Sequence, residues 1–360
     1  MRLHIVGCPR NASTKEIPMD PYASVSYYLT TYLHRNNHEV HYYGYSESTV
    51  ECTKKWPCAD RKHLEKYFVT KDIANTHWQD NNEGKRIFDE KAAELILSNY
   101  KPGDIVLCMW TPACSVVKTK LANAGFQDVK IVDAHIGHRH PDASTPYRVY
   151  ASYSNQHYCM GAHDYDDYHL WHETTIYPMA SCLDDFSYSE DKDDYHLFMG
   201  RTNTTKGITV FLDLARHFPN ENFILAGQGG LNQVGNKLPD NVKHVGLLNR
   251  EDRKEYLSKA KSVISPSYYA EPFGLTSVEA QLSGTPIICT DHGGYTESVI
   301  QGVTGFRCSY FKDFVNAIES IDTINPKDCR KNGERFTAEN LVKDWDKYLD
   351  RVKRGWYDLN

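Results

Sequence analysis

The chain has 360 residues, 40% of them hydrophobic, and a net charge of -6. That length favours two cores over one, and the acidic balance argues against broad nucleic-acid binding. No apolar run approaches the ~20 residues that span a bilayer, and Met1-Arg-Leu-His-Ile-Val-Gly7 reads as the start of a strand and not as a signal peptide.

Strands and helices alternate from the first residues. Strands are expected at 3–6, 39–43, 105–108, 130–133 and 149–153, with a helix over 22–35 and another over 85–98 inside the less regular stretch 44–100. This alternation predicts a parallel sheet with helices on both faces. The polar stretch 184–194 reads as a linker. A second α/β run follows, with strands at 196–199, 222–226, 242–245, 262–264 and 286–289 and helices over 208–217, 250–259 and 275–282. Asn249 has the chemistry of an N-cap for 250–259, with Asp252 three residues on. Helix 338–354 carries Leu341, Trp345, Tyr348, Leu349 and Val352 on one face and must bury it. The organisation expected is a first domain over 1–183, a second over 184–337 and a final segment 338–360. Two doubly wound sheets in series would bind ligands outside the carboxyl ends of their strands, in a shared cleft.

Ten cysteines are scattered without zinc-ribbon or Cys-x-x-Cys spacing, which fits reduced thiols in a cytoplasmic protein. Asp191-Lys-Asp193 could hold a divalent ion on a diphosphate, but it precedes a strand inside the linker and reads as solvated. Gly227-Gln-Gly-Gly230 lacks the third glycine of a dinucleotide fingerprint, because position 232 is Asn, and reads as a tight strand-to-loop turn. His135, His138 and His140 lack a partner carboxylate or cysteine at convincing metal-ligand spacing. His135 is open to three readings: a cleft residue, a structural loop histidine or a metal ligand.

The most informative segments are Phe198-Met-Gly-Arg-Thr-Asn-Thr-Thr-Lys-Gly207 and Glu271-Pro-Phe-Gly-Leu-Thr-Ser-Val-Glu-Ala280. The first sets Arg201 and Lys206 ahead of a helix. The second sets Glu271 before a helix and Glu279 inside it, with Gly274 allowing a tight turn. Together they offer two cations, N–H groups at a helix start and two carboxylates. A sugar nucleotide asks for those groups: positive charge and N–H donors for its diphosphate, and carboxylate acceptors for its hydroxyls.

These residues also carry a resemblance. Ser265-Pro-Ser267, Glu271-Pro-Phe-Gly-Leu275, Ser277-Val-Glu-Ala280, Gly284-Thr-Pro-Ile-Ile288, Gly293-Gly294, Glu297 and Gly302-Val-Thr-Gly-Phe306 resemble the retaining GT-B glycosyltransferases of family 4, and the likeness reaches back to Gly200-Arg201 and Lys206-Gly207. It is strong over 195–310. The first half resembles the family less: Asn37-His-Glu-Val40 looks like its turn into a second strand, while the loop 7–21 lacks the usual glycine pair.

The resemblance implies a GT-B fold with two Rossmann-like domains facing a central cleft and the last helix returning to the first domain. It implies that Arg201 and Lys206 hold the diphosphate, that Glu271 contacts donor-sugar hydroxyls and that Glu279 contacts the ribose. Phe273, Gly274 and Leu275 would border sugar and phosphate through their backbone. Gly200 and Gly227 would line the nucleotide site, Leu247 would flank the base, and His135 would border the reacting sugar. The activity implied is transfer of a hexose, first mannose from GDP-mannose, to a glycan, glycoprotein or other hydroxyl acceptor, with retention; with Arg201 and Lys206 as the diphosphate's cations, no metal or other cofactor is expected. UDP-sugars stay open as donors. A sugar-nucleotide epimerase and a sugar-nucleotide-binding protein without transfer are the alternatives. A homodimer is left open. The chain also looks like versions encoded by large DNA viruses, which would place it in a host cytosol.

Overall fold

The computed structural model describes residues 1–15, 20–68, 82–138, 141–162, 172–229, 231 and 237–355. They form two compact units. The first takes the described residues up to Ser181 together with those from Ala338 onward, and the second takes Cys182–Thr337.

In chain order the first unit holds β1 (Arg2–Val6), α1 (Pro21–Arg35), β2 (Glu39–Tyr45), β3 (Lys54–Ala59), α2 (Arg61–Tyr67) and α3 (Asn82–Leu97). It continues with β4 (Ile105–Cys108), α4 (Pro112–Asn123), β5 (Lys130–Ile136), β6 (Tyr147–Tyr150), α5 (Tyr153–Ala162) and β7 (Glu173–Thr175). Its seven strands are ordered β3-β2-β1-β4-β5-β6-β7, all pairs parallel. Parallel pairs need crossovers, and those crossovers cover the sheet. Val6, Tyr43, Tyr45 and Val106 of the sheet pack with Phe88, Ala92 and Ile96 of α3 and Val117 and Leu121 of α4.

The second unit holds β8 (His196–Met199), α6 (Ile208–His217), β9 (Phe223–Ala226), β10 (Val242–Gly246), α7 (Arg250–Lys259), β11 (Ser262–Ser265) and α8 (Leu275–Leu282). After these come β12 (Ile287–Thr290), α9 (Tyr295–Ser298), β13 (Gly305–Cys308), α10 (Phe311–Glu319) and α11 (Pro326–Gly333). Six parallel strands run β10-β9-β8-β11-β12-β13. Alternation along the strands builds two cores. Phe198, Ile264 and Ile288 join Phe211, Phe223 and Phe314 on one face, while Leu197, Val263 and Ile287 join Leu257, Ala280 and Tyr295 on the other.

The last helix, α12 (Ala338–Arg354), belongs to the first unit. Leu341, Trp345, Tyr348, Leu349 and Val352 are all buried. The Tyr32 hydroxyl donates to Glu339 at 2.6 Å, the His38 ring meets Asp346 at 2.8 Å, and the Tyr348 hydroxyl donates to the His172 carbonyl at 2.8 Å.

The structure adds α4, β7, α9, β13, α10 and α11 to the expected elements and differs from the expectation in three further stretches. The less regular stretch 44–100 holds a further strand, β3, and a further helix, α2. The strand expected at 149–153 is β6, which ends at Tyr150, and Tyr153 already opens α5. The expected linker is packed into the second unit: Asp185 is buried and accepts from Arg250 at 2.7 Å, and Lys192 donates to the Ser258 carbonyl at 2.8 Å.

Candidate functional site

In a doubly wound sheet, the strands on either side of the order reversal send their connections to opposite faces, leaving a crevice at their carboxyl ends. In the second unit the reversal falls between β8 and β11. The segments leaving those strands are the two that the sequence singles out.

After β8, Gly200 donates its N–H to the Ala226 carbonyl at 3.0 Å. Gly227 has φ +146°, and a Cβ there would lie 1.7 Å from the Gly200 carbonyl oxygen. Gly227 also donates to the Gly246 carbonyl at 2.8 Å, so glycines from the ends of three strands sit side by side. Arg201 is exposed. Asn203 caps a single 3-10 turn by accepting from the Lys206 N–H at 3.0 Å, and Gly207 at φ +76° turns the chain into α6. A Cβ on Gly207 would stand 1.8 Å from the Pro266 carbonyl oxygen, which packs this turn against the segment leaving β11.

That second segment returns the contact. The Thr205 carbonyl accepts the N–H groups of Tyr268 and Tyr269 at 2.9 and 3.1 Å. Ser267, fully buried, lies with its hydroxyl 2.9 Å from Glu271 Oε1. Lys206 Nζ meets the same oxygen at 2.5 Å. The two loops therefore share one carboxylate, held by an ammonium and a hydroxyl. Gly294 donates to the Glu271 carbonyl at 2.8 Å, so the Gly293-Gly294 turn clamps the Glu271 backbone. Phe273 is buried, and Gly274 at φ +88° caps α8. Leu275 is the first helical residue, so the first N–H groups of α8 have no carbonyl of their own helix to meet. Glu279, one turn into α8, pairs with Arg253 of α7. Leu247 follows β10 and is 40% exposed.

In the first unit the reversal falls between β1 and β4. Arg10, after β1, stands 4.9 Å from the ring centre of Trp110, after β4, and Lys85 stands 4.7 Å from the same ring. His135, inside β5, is buried edge-to-face against Tyr22, 5.2 Å between ring centres. Burial, helped by His138, holds the His135 imidazole down to about 4, so it is neutral near pH 7. Asp133 is also buried, accepting from the Thr111 hydroxyl at 3.0 Å and the Asp142 N–H at 3.2 Å, and burial pushes its carboxyl up to about 7. The His138 ring meets the Thr111 hydroxyl at 2.7 Å. His140 and Gly230 lie outside the described residues. Among the described residues no group of three or more His, Cys, Asp and Glu side chains is arranged to hold a metal ion. Asp191 and Asp193 are both exposed ahead of β8.

Arg201, Lys206, Glu271, Phe273, Gly274, Leu275 and Glu279 thus cluster with Gly200, Gly227 and Leu247 along one edge of the second sheet, and His135 is in the first unit. Sequence reasoning missed Ser267 as the orienter of Glu271 and Arg253 as the partner of Glu279. Ser267 sits in the quoted Ser-Pro-Ser motif and could have been found there. Arg253 gives no local signal.

Residues 184–336 match the family model for glycosyl transferases group 1. An alpha-1,3/1,6-mannosyltransferase of Dictyostelium discoideum is 36% identical over 112 residues, 28% of this chain and 26% of that protein. The chain spans half or less of the length of the sequence relatives it matches. Among solved structures, AviGT4, a glycosyltransferase involved in avilamycin A biosynthesis, superposes with a TM-score of 0.70 at 17% identity, covering 98% of both chains. The Anabaena protein HepE, solved with UDP and glucose, gives a TM-score of 0.65 at 15% identity, covering 97% of this chain and 99% of that one. No helix among the described residues is long and apolar enough to cross a membrane. The architecture is that of GT-B glycosyltransferase structures, and the match to glycosyl transferases group 1 falls on the second unit.

Proposed function

We propose that the chain is a retaining glycosyltransferase of family 4 that moves a hexose from a nucleotide-sugar to a glycan or other hydroxyl acceptor without a metal ion. The observation that carries this reading is the Lys206–Glu271 pair, steadied by Ser267 beside the start of α8. In the free protein the ammonium and the carboxylate neutralise each other. A diphosphate brings negative charge that competes for Lys206, and the freed Glu271 carboxylate then accepts from hydroxyls of the sugar. Arg201 adds a second cation at the same edge, and the N–H groups opening α8 add donors. As the sugar leaves, charge accumulates on the diphosphate, where cations fixed in advance lower the barrier. His135, a neutral imidazole in the first unit, enters this reading only through the family resemblance.

Mannose from GDP-mannose is the first donor, supported by the likeness to the Dictyostelium mannosyltransferase. A UDP-sugar is the second reading, favoured by the UDP and glucose bound to HepE.

The test is transfer from GDP-mannose and from UDP-glucose across a panel of hydroxyl acceptors, with and without EDTA. Transfer that persists in EDTA is expected. Complete loss restored by Mn²⁺ or Mg²⁺ contradicts the cation assignment and returns Asp191 and Asp193 to consideration. Conversion of the donor without acceptor identifies an epimerase, and binding without turnover identifies a binding protein.

A further inference from the structure

The ion pair between Arg253 and Glu279 carries one step beyond that reading and rests on it. Arg253 lies in the first turn of α7, just past the Asn249 cap. A cation there meets the positive end of the helix dipole, which Glu251 and Asp252 of the same turn offset. The guanidinium reaches across to α8 and donates through Nη2 to Glu279 Oε2, with side-chain exposures of only 15% and 12%. Its Nε is buried with no acceptor. An arginine placed only to join two helices would satisfy more of its five donors. Glu279 Oε1, by contrast, takes no hydrogen bond among the described residues.

We propose that Arg253 is a positioning residue for nucleoside recognition. It pins Glu279 by one carboxylate oxygen and so presents the other to a ribose hydroxyl. The physical gain is preorganisation. A glutamate free in solvent would lose rotamer freedom on binding, whereas one already held by a charge-assisted bond does not. The location supports the role. α7 opens directly after Gly246 and Leu247 at the end of β10, so Arg253 sits at the strand-end edge that carries the remaining candidate residues.

The experiment is titration of wild type, Arg253→Leu, Arg253→Lys and Glu279→Gln with UDP and GDP and with their 2′,3′-dideoxy counterparts, with melting temperatures recorded alongside. Arg253→Leu is expected to weaken the better-bound ribonucleotide by about tenfold or more, the low end for a hydrogen bond to a charged group. The same substitution should leave dideoxynucleotide affinity unchanged and add no further loss in the Glu279→Gln background. Arg253→Lys, which keeps a cation within reach of Glu279, should recover part of the loss. Arg253→Gln repeats the comparison if the leucine variant does not fold. Ribonucleotide affinity equal to wild type, or equal losses for ribo- and dideoxynucleotides, overturns the proposal and leaves a pair that only joins α7 to α8. A wild-type protein that binds neither UDP nor GDP removes the glycosyltransferase reading itself, and this inference with it.

Discussion

At the order reversal of its sheet, the second unit keeps charge and pairs it, as in Lys206 with Glu271 and Arg253 with Glu279. Three buried groups of the first unit are instead pushed toward neutrality, Asp133 and Asp89 up to about 7 and His135 down to about 4, while Arg148 and Glu173 form a buried ion pair in it. The backbones differ in the same sense. Of the twelve described glycines with positive φ, nine lie in the second unit, several where strand-end loops touch backbone to backbone. Paired charges can be exchanged for those of a ligand, and glycine turns hold them in place. Buried neutral groups offer hydrogen bonds of fixed character in a dry setting. The first unit also carries charge at its own reversal, with Arg10 and Lys85 against Trp110, so the contrast lies in how its interior groups are held.

The largest expected effect concerns those glycine contacts. Gly227→Ala puts a Cβ 1.7 Å from the Gly200 carbonyl oxygen at φ +146°, so backbone must move. Strain and overpacking together should cost about 2–5 kcal/mol. Gly246→Ala is the internal control. Its φ is +73° but nothing lies within 4 Å of the added methyl, so only about 1–2 kcal/mol is expected. Urea melts of both variants that coincide would remove the claim that close backbone contact sets this edge.

Next comes α12. Trp345 is 2% exposed within the first unit. Trp345→Asp should destabilise that unit by several kcal/mol, the scale for burying an unpaired charge. An unchanged melting temperature would show that the apolar stripe is not part of the core.

The smallest effect is a pH dependence at two buried groups of the first unit. His135 has a folded value near 4 against an ordinary 6.5, so its contribution is complete above about pH 6.5 and is lost as pH falls toward 4. Asp133 runs the other way. Its folded value near 7 exceeds the ordinary 3.8, so its contribution is complete below about pH 3.8 and is lost as pH rises through 7. Relative to wild type, His135→Gln should therefore improve on going from pH 6.5 to 4.5, while Asp133→Asn should improve from pH 4.5 to 7. Denaturant midpoints that shift in parallel for both variants would contradict the assignment of buried neutral groups.

In the second unit, 196–199, 208–217, 250–259 and 275–282 match their elements end to end, because glycines, caps and short apolar runs mark each boundary. Both units also hold elements that the sequence pattern does not mark: β13, α10 and α11 in the second and, in the first, β3. Its sequence Lys54-Lys-Trp-Pro-Cys-Ala59 is half-exposed and contains Pro57, which an edge strand tolerates but a pattern search rejects. The strand expected at 149–153 stops at Tyr150, because Ser152 accepts from the Asn155 N–H at 2.9 Å and α5 starts there. Site chemistry follows the same rule. Lys206 and Glu271 stand out as residue types in motifs, but their pairing across 65 positions is a product of the fold. Arg253 lies in a run of charged residues at the start of α7, where nothing distinguishes it from Lys254 or Arg250.

The claim that matters most is the division of labour between the two glutamates. Calorimetric titration of Glu271→Ala and Glu279→Ala, each with the free nucleoside diphosphate and with the intact sugar nucleotide, tests it directly. Glu279→Ala should weaken both ligands alike, by roughly 10–150-fold for a charged hydrogen bond of ~1.5–3 kcal/mol. Glu271→Ala should leave the diphosphate nearly unchanged while lowering affinity for the sugar nucleotide or its turnover. If Glu271→Ala loses the diphosphate as strongly as Glu279→Ala does, the two carboxylates do not read sugar and ribose separately, and the segment from Glu271 to Glu279 is a single phosphate-loop scaffold.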